Sequence, residues 1–164
     1  LYNGLESGAA LAAGETIVVP GGEVQKTIAK SSSGTVTKSS GGSALPALSG
    51  YFGNPLPGGR LTQGIHGYNA VDIGAPNGTP IYASAGGTII VAKSGGGYNG
   101  GYGNYIVIKH DNGTQTLYAH MSSLAVSGGT VEKGELIGYV GISGRDTGYH
   151  LHFEVRGAKN PLAR

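Results

Sequence analysis

From Tyr51 onward, this 164-residue chain breaks its apolar runs every few positions with glycine, or with steps such as Asn77-Gly78, Asp111-Asn112-Gly113 and Gly128-Gly129. No window between these breaks sustains a helical period, so the chain is confined to short strands and tight turns. Strands are expected near 71–73, 80–83, 87–93, 104–110, 114–120, 136–140 and 149–156. "HDNGTQ" between two of them is a hairpin signal, because Asn-Gly tolerates the positive φ that the turn needs. The expected fold class is all-β: a compact antiparallel sheet domain over 51–164.

Gly 33 and Pro 7 supply 40 of the 164 residues, about a quarter. That is near the level at which low complexity becomes a concern, but here the glycines are interleaved with Val, Ile and Tyr, as in a strand-rich domain. Ahead of the domain, residues 1–22 hold a short apolar strand, Ile17 to Val19, stopped by Pro20-Gly21-Gly22. Residues 23–50 read as a Ser/Gly-rich linker. The start at Leu1 rather than Met suggests a processed or trimmed product. A net charge of +2, from eleven scattered Lys and Arg against nine Asp and Glu, makes no nucleic-acid footprint. No apolar run is long enough to span a bilayer, and a monomer is expected. Cys 0 removes disulfides, thiolate metal sites and cysteine nucleophiles.

"YHLHFEVR", residues 149–156, places two of the five histidines one residue apart on a strand. Alternation puts Leu151, Phe153 and Val155 on a core face, and His150, His152, Glu154 and Arg156 on an open face. The two histidine Cβ atoms are then roughly 7 Å apart, so one imidazole can bind a metal while its neighbour stands over the substrate. "GIHGYNAVDIGAP" supplies companions, with His66 six residues before Asp72. Histidine, carboxylate and histidine without cysteine suit Zn²⁺ with a fourth position left for water. In "TLYAHMSSL", Thr116, Tyr118 and His120 share a face and Leu117 and Ala119 take the other, which leaves His120 at a strand end on a polar face. His110 is in phase with Ile106 and Ile108, so it is expected to be packed and hydrogen-bonded. "SGGGYNGGYGN", residues 94–104, is either a slack hairpin end or a groove wall whose Tyr98 and Tyr102 touch substrate.

Amide hydrolysis needs a polarised carbonyl, a nucleophilic water and a proton for the leaving nitrogen. The chain has no H-E-x-x-H and no G-x-S-x-G, which leaves His120 and His150 as the groups available for proton traffic.

"HGYNAVDIGAPNGTPIYASAGGTI", "GGYGNYIVIKHDNGTQTLYAHMSSL", "VEKGELIGYVGISGRDTGYHLHFEVR" and the closing "NPL" together resemble the LytM/lysostaphin-type zinc endopeptidases, the M23 peptidases of bacterial cell walls. The resemblance runs from about Tyr51 to Leu162 in the family's motif order. It implies a β domain with a substrate groove, one Zn²⁺, metal ligands His66, Asp72 and His152, and His120 and His150 as the catalytic pair. It also implies hydrolysis of peptide bonds in peptidoglycan stems or cross-bridges, and an extracytoplasmic location in a bacterium. Two departures stand out: "GYNAV" separates His66 from Asp72 where a shorter spacing is commonest, and "KHDNG" replaces an Asp-His-Gly-Asn-Gly string. The N-terminal "NGLESGAALAAGETIVVPGG" is similar to the trailing half of a LysM module, too little to bury a core. Two rivals stay open. One is a metal-free relative that binds peptidoglycan or activates an amidase; the other is a zinc D-Ala-D-Ala carboxypeptidase.

Overall fold

The computed structural model describes residues 45–144 and 148–163. The N-terminal segment 1–22, with its strand and LysM similarity, and most of the linker, 23–44, lie outside the described residues. Nine strands follow one another: β1 (Arg60–His66), β2 (Ala70–Gly74), β3 (Pro80–Tyr82), β4 (Gly87–Lys93), β5 (Asn104–Lys109), β6 (Gln115–Leu124), β7 (Thr130–Val131), β8 (Leu136–Val140) and β9 (His150–Arg156). All pair antiparallel, in the order β1-β2-β9-β6-β5-β4-β7, and β8 branches from β6 to carry β3. The fold class is therefore the expected one. The single helical element among the described residues is a 3-10 turn, Asn99–Gly101.

Strand alternation divides the sheet into two faces. Ile106 and Ile108 of β5, Tyr118 of β6 and Leu151, Phe153 and Val155 of β9 join the main core, each with no exposure. Ile81 of β3 and Ile137 and Val140 of β8 belong to the same core. Residues between these point the other way, and Tyr105, Val107, Leu117 and Ala119 form a smaller cluster there. Full burial of each large side chain contributes roughly 1.5–3 kcal/mol. Leu48 and Tyr51 pack on the main core, and Pro46 accepts a backbone hydrogen bond from Lys159 at 2.9 Å.

His110 lies on the main-core face as expected, 2% exposed, edge-on to the rings of both Tyr51 and Phe52, which also contact each other. Its Nδ1 is 2.8 Å from the Gly86 carbonyl and its Nε2 is 3.0 Å from Thr116 Oγ1. Thr116 also meets the Tyr118 hydroxyl at 2.9 Å, and that hydroxyl accepts the Ser84 N–H at 2.8 Å. Buried polar groups under the sheet are thus joined in one chain of hydrogen bonds. Burial pushes the Tyr118 hydroxyl up to about 12 and the His110 imidazole down.

Two strands have no counterpart in the sequence reading, β1 and the two-residue β7. β1, "RLTQGIH", is polar and carries a glycine, because it is an edge strand with little to bury. It delivers His66. The "GYNAV" spacing resolves here as a hairpin: His66 pairs with Ala70 across a turn in which Gly67 and Asn69 take positive φ. Asn69 is held in place by bonds from its side-chain amide to the Val155 and Ala158 carbonyls, both 2.7 Å. Asn160 of the closing "NPL" donates to the Asn69 carbonyl at 3.0 Å, so that motif secures the turn.

Candidate metal centre

β9 lies between β2 and β6, and His152 stands opposite Asp72 on one side and Ala119 on the other. Directly opposed side chains project to the same face, so Asp72 and His152 meet by register alone. Their Nδ1 and Oδ1 are 2.9 Å apart. Register shifts in β1 bring His66 to the same carboxylate, with Nε2 3.3 Å from Asp72 Oδ1. His150 Nε2 lies 3.7 Å from that oxygen.

His120 arrives by a different route. Thr116 and Tyr118 face the main core, and continued alternation would send His120 there too, so the polar face expected for that set is a buried one. Instead His120 adopts φ +61°, which turns it onto the face of Ala119, while Met121 drops back into the main core. Its ring then stands 5.0 Å from that of His150 and 5.7 Å from that of His152. A left-handed histidine is uncommon and costs about 1–3 kcal/mol, so the surroundings must hold it. They do: the His120 N–H donates to the Tyr102 carbonyl at 2.9 Å, and its Nδ1–H to the Ser143 carbonyl at 2.8 Å. Ser143 is itself fixed, its hydroxyl donating to the Met121 carbonyl at 2.7 Å and accepting the Asn104 N–H at 2.8 Å. Gly103 and Gly144 let these loops touch, because a Cβ on Gly103 would strike Ser143 and one on Gly144 would strike Gly101.

The polar atoms call for a cation. His66 donates Nδ1–H to the Gly64 carbonyl at 2.8 Å, which leaves its Nε2 facing a carboxylate oxygen. His152 has carboxylates at both nitrogens, Asp72 at Nδ1 and Glu154 Oε1 at Nε2, 3.2 Å away. A neutral imidazole carries one N–H, so one of these contacts needs either a second proton or a metal. Burial lowers the His152 pKa, but hydrogen bonds to Asp72 and Glu154 outweigh it and raise it to about 9. Burial likewise raises Asp72, but His152, His150 and His66 overcome that and hold the carboxyl below the usual range.

One ligand atom from each of His66, Asp72 and His152 lies within 4.8 Å of the others, the one such cluster among the described residues. Zinc bonds of about 2.0–2.1 Å in a tetrahedron imply ligand–ligand separations of roughly 3.3 Å, close to the 3.3 and 2.9 Å that separate His66 Nε2 and His152 Nδ1 from Asp72 Oδ1. The far nitrogen of each histidine is anchored on a carbonyl or carboxylate, the usual second partner of a metal-bound imidazole. Two imidazoles, one carboxylate and no thiolate match a single zinc site with a fourth position open.

Of the two tyrosines in the glycine-rich loop, Tyr98 is 62% exposed, whereas Tyr102 lies with its ring 5.8 Å from that of His152. The Tyr102 hydroxyl donates to Glu154 Oε1 at 2.6 Å. Glu154 corrects the sequence reading. It shares the histidines' face, but that face is closed over it and leaves it 1% exposed, beneath Tyr102 and Arg156. The signal lay in "HLHFEVR", where a carboxylate two residues from a metal-type histidine shares its face.

The antiparallel sheet thus carries a His-Asp-His metal site with two further histidines beside it. The chain belongs to peptidase family M23, whose model matches residues 66–164. It is 49% identical over 89 residues to the DD-carboxypeptidase/endopeptidase Mpg of Neisseria meningitidis, a match covering 54% of this chain and 20% of that protein. It is 41% identical over 97 residues to the peptidoglycan DD-endopeptidase ShyA of Vibrio cholerae, covering 58% and 21%. The chain thus spans about a fifth of the length of these curated relatives. Among solved structures, a putative M23 peptidase from Pseudomonas aeruginosa aligns with TM-score 0.57 at 30% identity, over 69% of this chain and 49% of that one. Helicobacter pylori Csd3 aligns with TM-score 0.55 at 31% identity, over 73% and 34%. No helix among the described residues is long and apolar enough to cross a membrane.

Proposed function

We propose that this chain is a zinc-dependent endopeptidase that hydrolyses peptide bonds in the stems or cross-bridges of bacterial peptidoglycan, in an extracytoplasmic location. The observation that carries this reading is the convergence of His66 Nε2 and His152 Nδ1 on Asp72 Oδ1, with the His120 and His150 rings alongside. His66, Asp72 and His152 would hold the metal, one per domain. Zinc supplies a Lewis acid that polarises a scissile carbonyl and makes water nucleophilic near neutral pH.

The remaining steps belong to this chain's own side chains. The Ser143 carbonyl holds the His120 proton on Nδ1, so the neutral ring offers Nε2 as a base towards the cluster. In the reaction His120 takes the proton of the attacking water and delivers it to the leaving amine nitrogen. His150 orients the substrate carbonyl and donates a hydrogen bond to the oxygen on which charge develops. The exposure of Tyr98 on the glycine-rich loop and the Tyr102 ring beside His152 support reading both as peptide contacts.

The naming of Mpg as carboxypeptidase and endopeptidase, and of ShyA as a peptidoglycan endopeptidase, supports this substrate class. A metal-free binding role is disfavoured, since all five residues of the site are present and His66, His120 and His152 each carry an anchoring hydrogen bond. Digestion of sacculi of defined cross-link chemistry, followed by mass spectrometry, tests the proposal. Release of new amine termini from internal bonds, blocked by a chelator, is the expected result. Release of terminal D-Ala alone would replace endopeptidase with carboxypeptidase, and no release by zinc-loaded protein would reject the enzyme reading.

A further inference from the structure

Glu154 is a carboxylate that takes no place among the three metal ligands, yet it is 1% exposed. Burial of an ion is costly unless its lone pairs are all engaged. Here they are engaged by donors alone. Oε1 accepts the Tyr102 hydroxyl at 2.6 Å and the His152 Nε2–H at 3.2 Å. Oε2 accepts Arg156 Nε–H at 2.8 Å and pairs with Arg156 Nη2 at 2.6 Å. The Arg156 guanidinium is capped by the Tyr68 ring at 6.0 Å, and Leu117 stands opposite Glu154 on β6 as an apolar wall. Such a site fixes the carboxylate in orientation as well as charge.

Two consequences meet in Tyr102. Its hydroxyl is bonded to the carboxylate that sets the His152 ring, and its carbonyl receives the backbone N–H of the left-handed His120. One residue of the glycine-rich loop thus spans both halves of the site. We propose that Glu154 and Tyr102 are positioning residues: Glu154 holds the His152 proton on Nε2 and so presents Nδ1 to the metal, and Tyr102 ties that ring to the backbone of His120. The inference rests on His152 being a zinc ligand. A carboxylate behind a ligating imidazole raises its basicity and fixes its ring, and loss of such a partner typically weakens metal binding about 10–100-fold.

Glu154→Gln is the informative variant, because it keeps the volume but brings two amide hydrogens into a pocket of donors. Zinc affinity is measured by competition with a chromophoric chelator, on the full chain. Wild type is expected to bind one zinc, Glu154→Gln to bind it about 10–100-fold more weakly, and Tyr102→Phe to lose a smaller factor, roughly severalfold. Wild-type affinity in Glu154→Gln, with one zinc in the wild type, would overturn the positioning role alone. Absence of zinc from the wild type would overturn the ligand assignment beneath it. Should the variants fold poorly, long-range ¹H–¹⁵N spectra of the zinc-loaded wild type give an independent readout. A metal-shifted Nδ1 and a slowly exchanging Nε2–H on His152 are expected; zinc on Nε2 would contradict the proposal.

Discussion

His120 donates its ring Nδ1–H to the carbonyl of Ser143 at 2.8 Å, and this bond joins a left-handed residue of β6 to a loop near the start of β9. Ser143 can hold that position because Gly103 and Gly144 let two loops meet backbone to backbone. Gly144→Ala or Gly103→Ala should therefore displace the Ser143 carbonyl and let the His120 ring turn. A misplacement of about 1 Å can cost about 100-fold in rate. The expected result is a kcat drop of that order with zinc still bound, checked by steady-state kinetics beside metal analysis.

His120→Ala and His150→Ala separate proton transfer and oxyanion contact from metal binding. Each should lower kcat by roughly 10²–10⁴-fold while one zinc is retained. Turnover near the wild-type level in either would refute the role given to it.

Asn69 anchors the turn that presents His66, through two 2.7 Å bonds from its amide and a positive φ of 56°. Asn69→Ala loses both bonds and puts alanine where a left-handed residue is required. A stability loss of about 2–3 kcal/mol is expected from urea denaturation. Zinc affinity should fall with it, since His66 hangs from the same hairpin.

Burial holds the His110 imidazole below its ordinary pKa, despite its bond to Gly86 and the nearby Asp111. The unfolded chain then binds the proton first, so the stabilisation from neutral His110 is complete above about pH 6.5 and fades as pH falls from there to the depressed folded value. Urea denaturation of the zinc-loaded protein between pH 7 and 5, with the His110 ring followed by NMR, checks this. A His110 resonance that titrates at or above its unfolded value would contradict it.

The strands that bury one face were legible because alternation marks them. In β9, Leu151, Phe153 and Val155 point into the core and leave His150, His152 and Glu154 together. The packed His110 followed from the same logic, and the hairpin at Asp111–Gly113 from its Asn-Gly step. β1 was not legible, since an edge strand has no apolar face to announce it, and with it went the reason for the long His66–Asp72 spacing. His120 reached the site against alternation, because a single positive φ reverses the face and no local pattern reveals it. The closure over Glu154 depends on Tyr102, 52 residues away in sequence, and such a contact has no period to read.

Zinc content and turnover measured together on one cross-linked muropeptide test the account most directly. Wild type, Asp72→Ala and His120→Ala would be run side by side. The account predicts one zinc in wild type and His120→Ala, none in Asp72→Ala, and cleavage of the internal bond by wild type alone. Cleavage by zinc-free Asp72→Ala, or undiminished cleavage by His120→Ala, would contradict it.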